Sequence, residues 1–550
     1  MRPSLLVAAL SCGLIACSQG STPPATSATP TPSPLITPKK VDATSTTLNM
    51  QPVTAQPPDN ALPAHWAQGA VFIEIYVRGY KDSNGDGIGD FRGLTSQLDY
   101  LQQLGVQGIW LMPVNQSQDH DHGYAVTDYR KLEPDYGTEA DFREFIAQAH
   151  ARGIGVIMDY VINHSAYQNP LFLDSKNRLN DKRDWYVWQD HDPGWLNWDN
   201  SESWHRVKPT HDYYYGVFWE QMPDFNLKNP KVLAYHHDNL RYWMNLGVDG
   251  FRFDAVGQLV ENGKHAYESQ PENKVILREL QQLVTGTYPK GFMVCEEPTD
   301  PVGAASKQAC GSAFAFGFND AVRSSVRAGE VTPDLKRVLA TYPLANMGLI
   351  LGSHDSYAGE RLIEAFSGDE TKYRLAVATQ MTLPGQPFIY YGEEIGMGHS
   401  AGNAGDWALR APMSWQANGG FSSSSQLFRA PADNLARYNA ADQQATPGSL
   451  WHYYQQLIAL RKANPALQRG DLTLLSEDQT LSFLRHNDQQ TVLVAINYGA
   501  QPQTLTLETH QANARWQPLF GTQASAQSNA KGTVTVTIPA GQLLIWKRTR

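Results

Sequence analysis

Four carboxylates stand at the ends of short apolar runs in this chain: Asp159 in DYVINH, Asp254 in GFRFDA, Glu296 in FMVCEE and Asp355 in GSHD. Carboxylates that converge on one pocket can cleave a glycosidic bond, because one must act as acid while another stays ionised as nucleophile. Within GFRFDAV, Arg252 and Asp254 are two residues apart, so on a strand their side chains point the same way. A guanidinium beside that carboxylate is expected to lower its pKa and keep it charged. Glu296 and its neighbour Glu297 point to opposite faces of a strand, so only one of them can join the others.

The elements that must position these groups are legible as well. Eight apolar runs, at residues 71–77, 108–113, 154–160, 248–254, 292–296, 312–316, 348–352 and 387–391, read as strands. Helical patterns such as 94–104 and 139–152 separate most of them. Eight βα units predict a (β/α)₈ barrel, in which the ends of several strands meet on one face. Between residues 164 and 222 the rhythm breaks into a stretch rich in Trp, Tyr, Asp and Asn, expected as an excursion after the third strand. Its tryptophans 185, 188, 195, 198 and 204 either shape a groove or pack the loop. After about residue 463 short alternating runs (481–484, 491–496, 504–507, 534–538) predict a terminal antiparallel β-domain.

The same segments carry a resemblance. DYVINH (159–164), MPDFNL (222–227), GFRFDAV (250–256), VCEE (294–297) and LGSHD (351–355) resemble the ordered signature regions of the α-amylase family, glycoside hydrolase family 13. VFIEIYVRGYKDSNGDGIGDFRGL, GIWLMPV, HGYAVTDY, FIYYGEE and RAPMSW extend the likeness from about residue 71 to the C-terminus. It implies a TIM barrel with a B domain inserted after strand 3 and a C-terminal antiparallel β-sandwich. It also implies a retaining hydrolase of α-1,4 bonds in starch-derived glucans and maltooligosaccharides. By that resemblance Asp254 is the nucleophile, Glu296 the general acid, and Asp355 the third carboxylate that holds and distorts the sugar, with His354 beside it. Asp159 would organise Arg252 and Tyr124, while His164 by hydrogen bonding and Tyr124 by stacking would line the subsite of the cleaved sugar.

The MPDFN pentapeptide resembles the group intermediate between oligo-1,6-glucosidases and neopullulanases, so an α-glucosidase or a transglycosylase such as a trehalose-forming isomerase is the alternative. Many α-amylases carry Lys and His three and four residues after the nucleophile, where this chain has Gly257 and Gln258. Ala125 stands where relatives often have Asp. A glucan-binding lipoprotein without catalysis is a third reading, opposed by the complete set Asp254, Glu296 and Asp355.

A separate constellation, DSNGDGIGD at 82–90, places oxygens at alternate positions. Asp82, Asn84, Asp86 and Asp90, with the Ile88 carbonyl and Gly87 for the turn, suit a hard cation with six or more oxygen ligands. The first half is similar to an EF-hand loop, but its twelfth position is Gly93 rather than Glu and no helix precedes it. It resembles the calcium loop after the first barrel strand in some α-amylase relatives, so calcium is the expected cofactor. Asn163 is a weaker pointer to a second calcium.

Composition and the N-terminus narrow the remaining classes. Lys plus Arg is 44 against 54 Asp plus Glu, a net charge of −10 with no basic tract, which argues against a nucleic-acid partner. Arg2 precedes an apolar run at residues 5–16, too short to span a bilayer and expected as a signal peptide. Leu14-Ile15-Ala16-Cys17 resembles a bacterial lipobox, which implies cleavage and lipidation at Cys17. A Ser, Thr and Pro-rich tether is expected over 17–65. The barrel is expected over 66–164 and 222–463, the B domain over 165–221 and the β-domain over 464–550. The chain is thus expected as a monomer held at the bacterial cell envelope, periplasm-facing or at the outer membrane, by its lipid anchor alone. Cys295 and Cys310 would be permitted a disulfide in such a compartment, but lone cysteines at the ends of buried strands read more simply as small hydrophobes.

Overall fold

The computed structural model describes residues 48–549 apart from Thr287. The expected signal peptide and the expected lipidation position, Cys17, lie outside the described residues. Among those described, no helix is long and apolar enough to cross a membrane.

Eight parallel strands close into a barrel, as expected: β1 (Phe72–Ile75), β2 (Gly108–Leu111), β3 (Gly155–Val161), β4 (Gly250–Asp254), β5 (Phe292–Cys295), β6 (Ala313–Phe314), β7 (Met347–Ile350) and β8 (Gln386–Tyr390). β1 closes the ring by pairing in parallel with both β2 and β8. The strands are buried along their length, with Phe292 at the start of β5 partly exposed, which is why they read as continuous apolar runs. Inside the barrel, alternate residues form layers. Phe72, Phe292, Phe314 and Phe388 fill the lower layer with Trp66, Trp110, Ile157 and Ile350, and the Phe72 and Phe388 rings stack 4.5 Å apart. Gly108 makes room for this plug, since a Cβ there would lie 2.3 Å from the Phe72 ring. Two residues further along β1 and β3 the inward positions become Glu74 and Asp159. The period of two therefore converts an apolar floor into a charged mouth.

Between β3 and β4 the chain leaves the barrel and forms the helix Pro170–Lys176 and a three-stranded antiparallel sheet of Trp188–Gln189, Tyr213–Tyr215 and Trp204–Arg206. Trp185 and Trp204 are buried here, and the Trp188 ring is sandwiched between Phe172 and the Arg183 guanidinium. Most of these tryptophans pack the segment; Trp198 stays half exposed. After the barrel, a six-stranded antiparallel sheet and the pair Gln503–Glu508 and Thr533–Ile538 face each other across a core of Leu493, Leu507, Trp516, Val534, Ile538 and Trp546. This is the expected terminal β-domain.

Two expectations are corrected. Residues 48–65, expected as the end of a loose tether, have no helix or strand, yet they are strapped along the barrel. Asp238 and Asn245 accept from the Val53 and Gln56 amides, Asn245 and Arg130 donate to the Thr54 and Gln51 carbonyls, and Asn60 donates to Asp249. Polar side chains of the helix Pro230–Asn245, of the strand Val126–Leu132 and of the turn before β4 supply these partners. Cys295 and Cys310, expected as separate small hydrophobes, form a disulfide. β5 and β6 are adjacent and paired at Cys295 and Ala313, so the chain folds Cys310 back beside the strand that carries Cys295.

Candidate active site

The mouth of the barrel gathers the carboxylates singled out by the sequence. Arg252, inward-facing on β4, is the hub. Its Nη1 donates to Asp254 at 2.6 Å and to Asp159 on β3 at 3.0 Å, and its Nη2 meets Glu296 Oε2 at 2.8 Å. Glu296 follows β5, and the Ala255 amide also donates to its Oε2 at 2.8 Å. Ala255 can aim that amide inward because its backbone is left-handed, with φ 48°. Glu297 turns the other way. Its Oε1 accepts from the Thr299 amide and hydroxyl and the Asp300 amide, closing the turn after β5. A Cβ on Gly257 would lie 2.7 Å from Glu297 Oε2, so the buried carboxylate leaves no room for a side chain at that position.

A second chain of contacts fixes Asp355, just past β7. His354 Nε2 meets Asp355 Oδ2 at 3.0 Å, its Nδ1 meets Glu74 of β1 at 2.5 Å, and Arg410 Nη2 meets Asp355 Oδ1 at 3.1 Å. Tyr124 connects the two halves. Its hydroxyl reaches Asp159 Oδ2 at 3.1 Å and His354 Nε2 at 2.5 Å, and its ring stacks on that of His354. Trp110 donates to Asp159 from below at 3.3 Å. His164 sits at the edge, buried, with neither ring nitrogen hydrogen-bonded and the Phe218 ring 5.1 Å away.

The electrostatics follow from crowding. For His354, burial opposes the charge, but Asp355 and Glu74 on its two nitrogens outweigh it and push the pKa up to about 10. The ring is therefore a cation at neutral pH. For Asp355, burial is overcome by His354 and Arg410, which hold the carboxyl well below the usual range. His164 lacks such partners, so burial drives it down to about 3 and keeps it neutral. Asp254 corrects the expectation of a lowered pKa. Burial raises it, and the nearby Glu296 and Asp159 charges add to the rise, so that Arg252, which pulls the other way, does not prevail. Asp159 is likewise raised by burial, to about 6.

These contacts join seven of the eight expected catalytic and substrate-binding positions; the His164 ring packs on Phe218. Sequence reasoning missed Glu74, Trp110, Arg410 and Tyr357. Glu74 carried a signal, a lone carboxylate in the otherwise apolar FIEI. Arg410 opens the RAPMSW segment, whose sequence points to no particular partner. Tyr357, whose hydroxyl donates to Glu296 Oε1, carried none.

The loop 82–90 lies apart from the mouth. Asp82, Asn84 and Asp86 each accept the amide two residues on, at 2.9 Å, which turns the alternate side chains back on the loop. Asp82 and Asp90 are almost fully buried; Asp82 also accepts from the Gly85 and Gly87 amides and the Ser422 hydroxyl, Asp90 accepts from the Ser83 and Gly93 amides, and the Lys81 charge acts on both. Asn163 donates to the buried Asp224 carboxylate at 3.0 Å.

Comparison with known proteins adds to this geometry. Residues 74–470 match the model of the α-amylase catalytic domain, and residues 475–549 that of the α-amylase C-terminal all-β domain. The chain is 33% identical over 446 residues to α-amylase 3 of Dictyoglomus thermophilum, covering 78% of this chain and 85% of that protein. It is 32% identical over 512 residues to a trehalose synthase/amylase of Mycobacterium tuberculosis, covering 82% and 85%. With an oligo-1,6-glucosidase of Parageobacillus thermoglucosidasius it shares 29% over 530 residues, covering 81% and 92%. Among solved structures, the trehalulose synthase MutB of Pseudomonas mesoacidophila superposes with a TM-score of 0.75 at 27% identity, over 88% of this chain and 99% of that one.

Proposed function

Because the chain belongs to the α-amylase family of glycoside hydrolases, we propose that it is a retaining enzyme cutting α-1,4-glucosidic bonds in starch-derived glucans and maltooligosaccharides. Asp254 attacks the anomeric carbon as Glu296 gives its proton to the departing glycosidic oxygen, which yields a covalent glycosyl-enzyme. Glu296 then takes a proton from the water that attacks the same carbon, and Asp254 leaves. The observation that carries this reading is the sharing of one guanidinium: Asp254 and Glu296 bind its two terminal nitrogens. Carboxyls bound to the two ends of one guanidinium are held near each other, which suits the close pair that double displacement needs. Asp355, braced by the His354 and Arg410 cations, is placed to accept from the sugar's hydroxyls. His164, neutral and unpartnered, and Tyr124 line the same subsite.

A second reading, transfer or isomerisation, is favoured by the relatives named trehalose synthase and oligo-1,6-glucosidase. A time course of products from amylose, maltose, isomaltose and pullulan separates the two. Rapid shortening of amylose to maltooligosaccharides supports the α-1,4 hydrolase; conversion of maltose to trehalose with amylose untouched overturns it.

Calcium at 82–90 would be held by Asp82, Asn84, Asp86, the Ile88 carbonyl and Asp90, where it would neutralise two buried carboxylates and brace the loop after β1. A ligand at 100 times its Kd stabilises the native state by about 2.7 kcal/mol. Chelator should therefore lower the Tm of the wild type by several degrees and leave Asp86→Ala, already lowered, unmoved. Identical melting of both proteins with and without chelator removes calcium from the account.

Lipidation at Cys17 would place this monomeric enzyme at the cell envelope. One acyl chain binds membranes only marginally whereas several anchor stably, so a triacylated Cys17 should bring the protein into the membrane fraction and Cys17→Ala should release it. Equal membrane association of the two proteins counts against the anchor.

A further inference from the structure

Both oxygens of Glu296 are occupied, and by partners of different kinds. Oε2 is held by the Arg252 guanidinium and the Ala255 amide, at 2.8 Å each. Those groups can only donate, so Oε2 cannot carry an acid proton toward them. Oε1 is held by the Tyr357 hydroxyl, which can donate or accept. The transferable proton therefore belongs on Oε1, and Tyr357 is the group that meets it.

Tyr357 is built for that position. It sits in the turn Ser356–Ala358 just beyond Asp355, and the turn is fastened on both sides. The Ser356 amide and hydroxyl donate to Asp406 at 2.8 and 2.7 Å, while the Ala358 carbonyl accepts from Asn319 at 2.7 Å and Arg323 at 2.8 Å. Despite this anchoring, Tyr357 is 56% exposed. One face of its ring is backed by Phe316, 5.8 Å away. A large aromatic ring left open at the mouth, with its hydroxyl on the proton donor, lies where the sugar released by that donor must depart.

Resting on the retaining α-glucosidic reading above, we propose that Tyr357 is a positioning residue of two parts. Its hydroxyl holds the Oε1 side of Glu296 in line with the glycosidic oxygen, and its ring is the platform for the leaving sugar. As the C–O bond breaks, the proton passes from Oε1 to the departing oxygen. The hydroxyl, which accepted from the protonated acid, turns to donate to the carboxylate that remains.

The test compares kcat/KM, which reports only the steps through glycosylation, on maltotriose and on α-glucosyl fluoride. Fluoride departs with little acid assistance and offers no ring to stack. Tyr357→Phe should lose about tenfold on maltotriose, a fraction of the ~10²–10⁴ that a general acid supplies, with KM near wild type and the fluoride turned over normally. Tyr357→Ala should show the same kcat loss with a KM for maltotriose raised about tenfold, and again normal turnover of the fluoride. Equal losses on both substrates make Tyr357 merely structural and overturn the proposal, as does wild-type behaviour of Tyr357→Phe on maltotriose. A wild type inert toward α-glucosyl fluoride strikes the underlying reading, and this assignment with it.

Discussion

Asp254→Asn is expected to lose turnover of maltooligosaccharides by about 10⁴-fold or more, since an amide cannot form the covalent intermediate on which the rest of the cycle depends. The fold should survive. Arg252 keeps Asp159 and Glu296 as partners, so the substitution removes one of three anions around a buried guanidinium and leaves no unpaired charge. Circular dichroism and Tm close to wild type, with activity gone, locate the loss in chemistry. Residual activity within tenfold of wild type would show that another group attacks the sugar.

Glu296→Ala is expected to behave differently. Removing the proton donor costs most where the leaving group is poor, so maltotriose hydrolysis should fall by about 10²–10⁴-fold. An activated aryl α-glucoside should still form the glycosyl-enzyme. Azide, which needs no general base, should then accelerate its breakdown and give the retained α-glucosyl azide. Glu297→Ala should show no such rescue, because Glu297 is spent on the turn at Thr299 and Asp300. A β-azide, or rescue in Glu297→Ala instead, contradicts the assignment of the acid or of retention.

The barrel and the carboxylates were legible because both rest on local periodicity. Parallel strands buried on both faces read as apolar runs, and a charged residue near the C-terminal end of such a run, where the alternation turns it inward, faces the mouth. Asp159, Arg252, Asp254 and Glu296 obey this rule, and Glu74 obeys it too, two residues after Phe72 in a strand too short to draw attention. What was not legible depends on contacts far apart in sequence. Arg410 reaches Asp355 across 55 residues and Tyr357 reaches Glu296 across 61, and no spacing encodes such pairs. The disulfide was missed for a similar reason, since only the adjacency of β5 and β6 brings Cys310 to Cys295. The pKa of Asp254 is not legible because the sequence shows Arg252 beside one carboxylate, whereas the fold surrounds it with three.

The central assignment, Asp254 as the attacking group of a retaining enzyme, is tested most directly by trapping the intermediate. A 5-fluoro-α-glucosyl fluoride forms the glycosyl-enzyme through its good leaving group and slows its hydrolysis, because the ring fluorine destabilises the oxocarbenium-like transition state. After digestion with trypsin, mass spectrometry should find one fluoroglucosyl unit on the peptide 253–264, and fragmentation should place it on Asp254. An adduct on any other residue, or turnover of the reagent with inversion and no adduct at all, would contradict it.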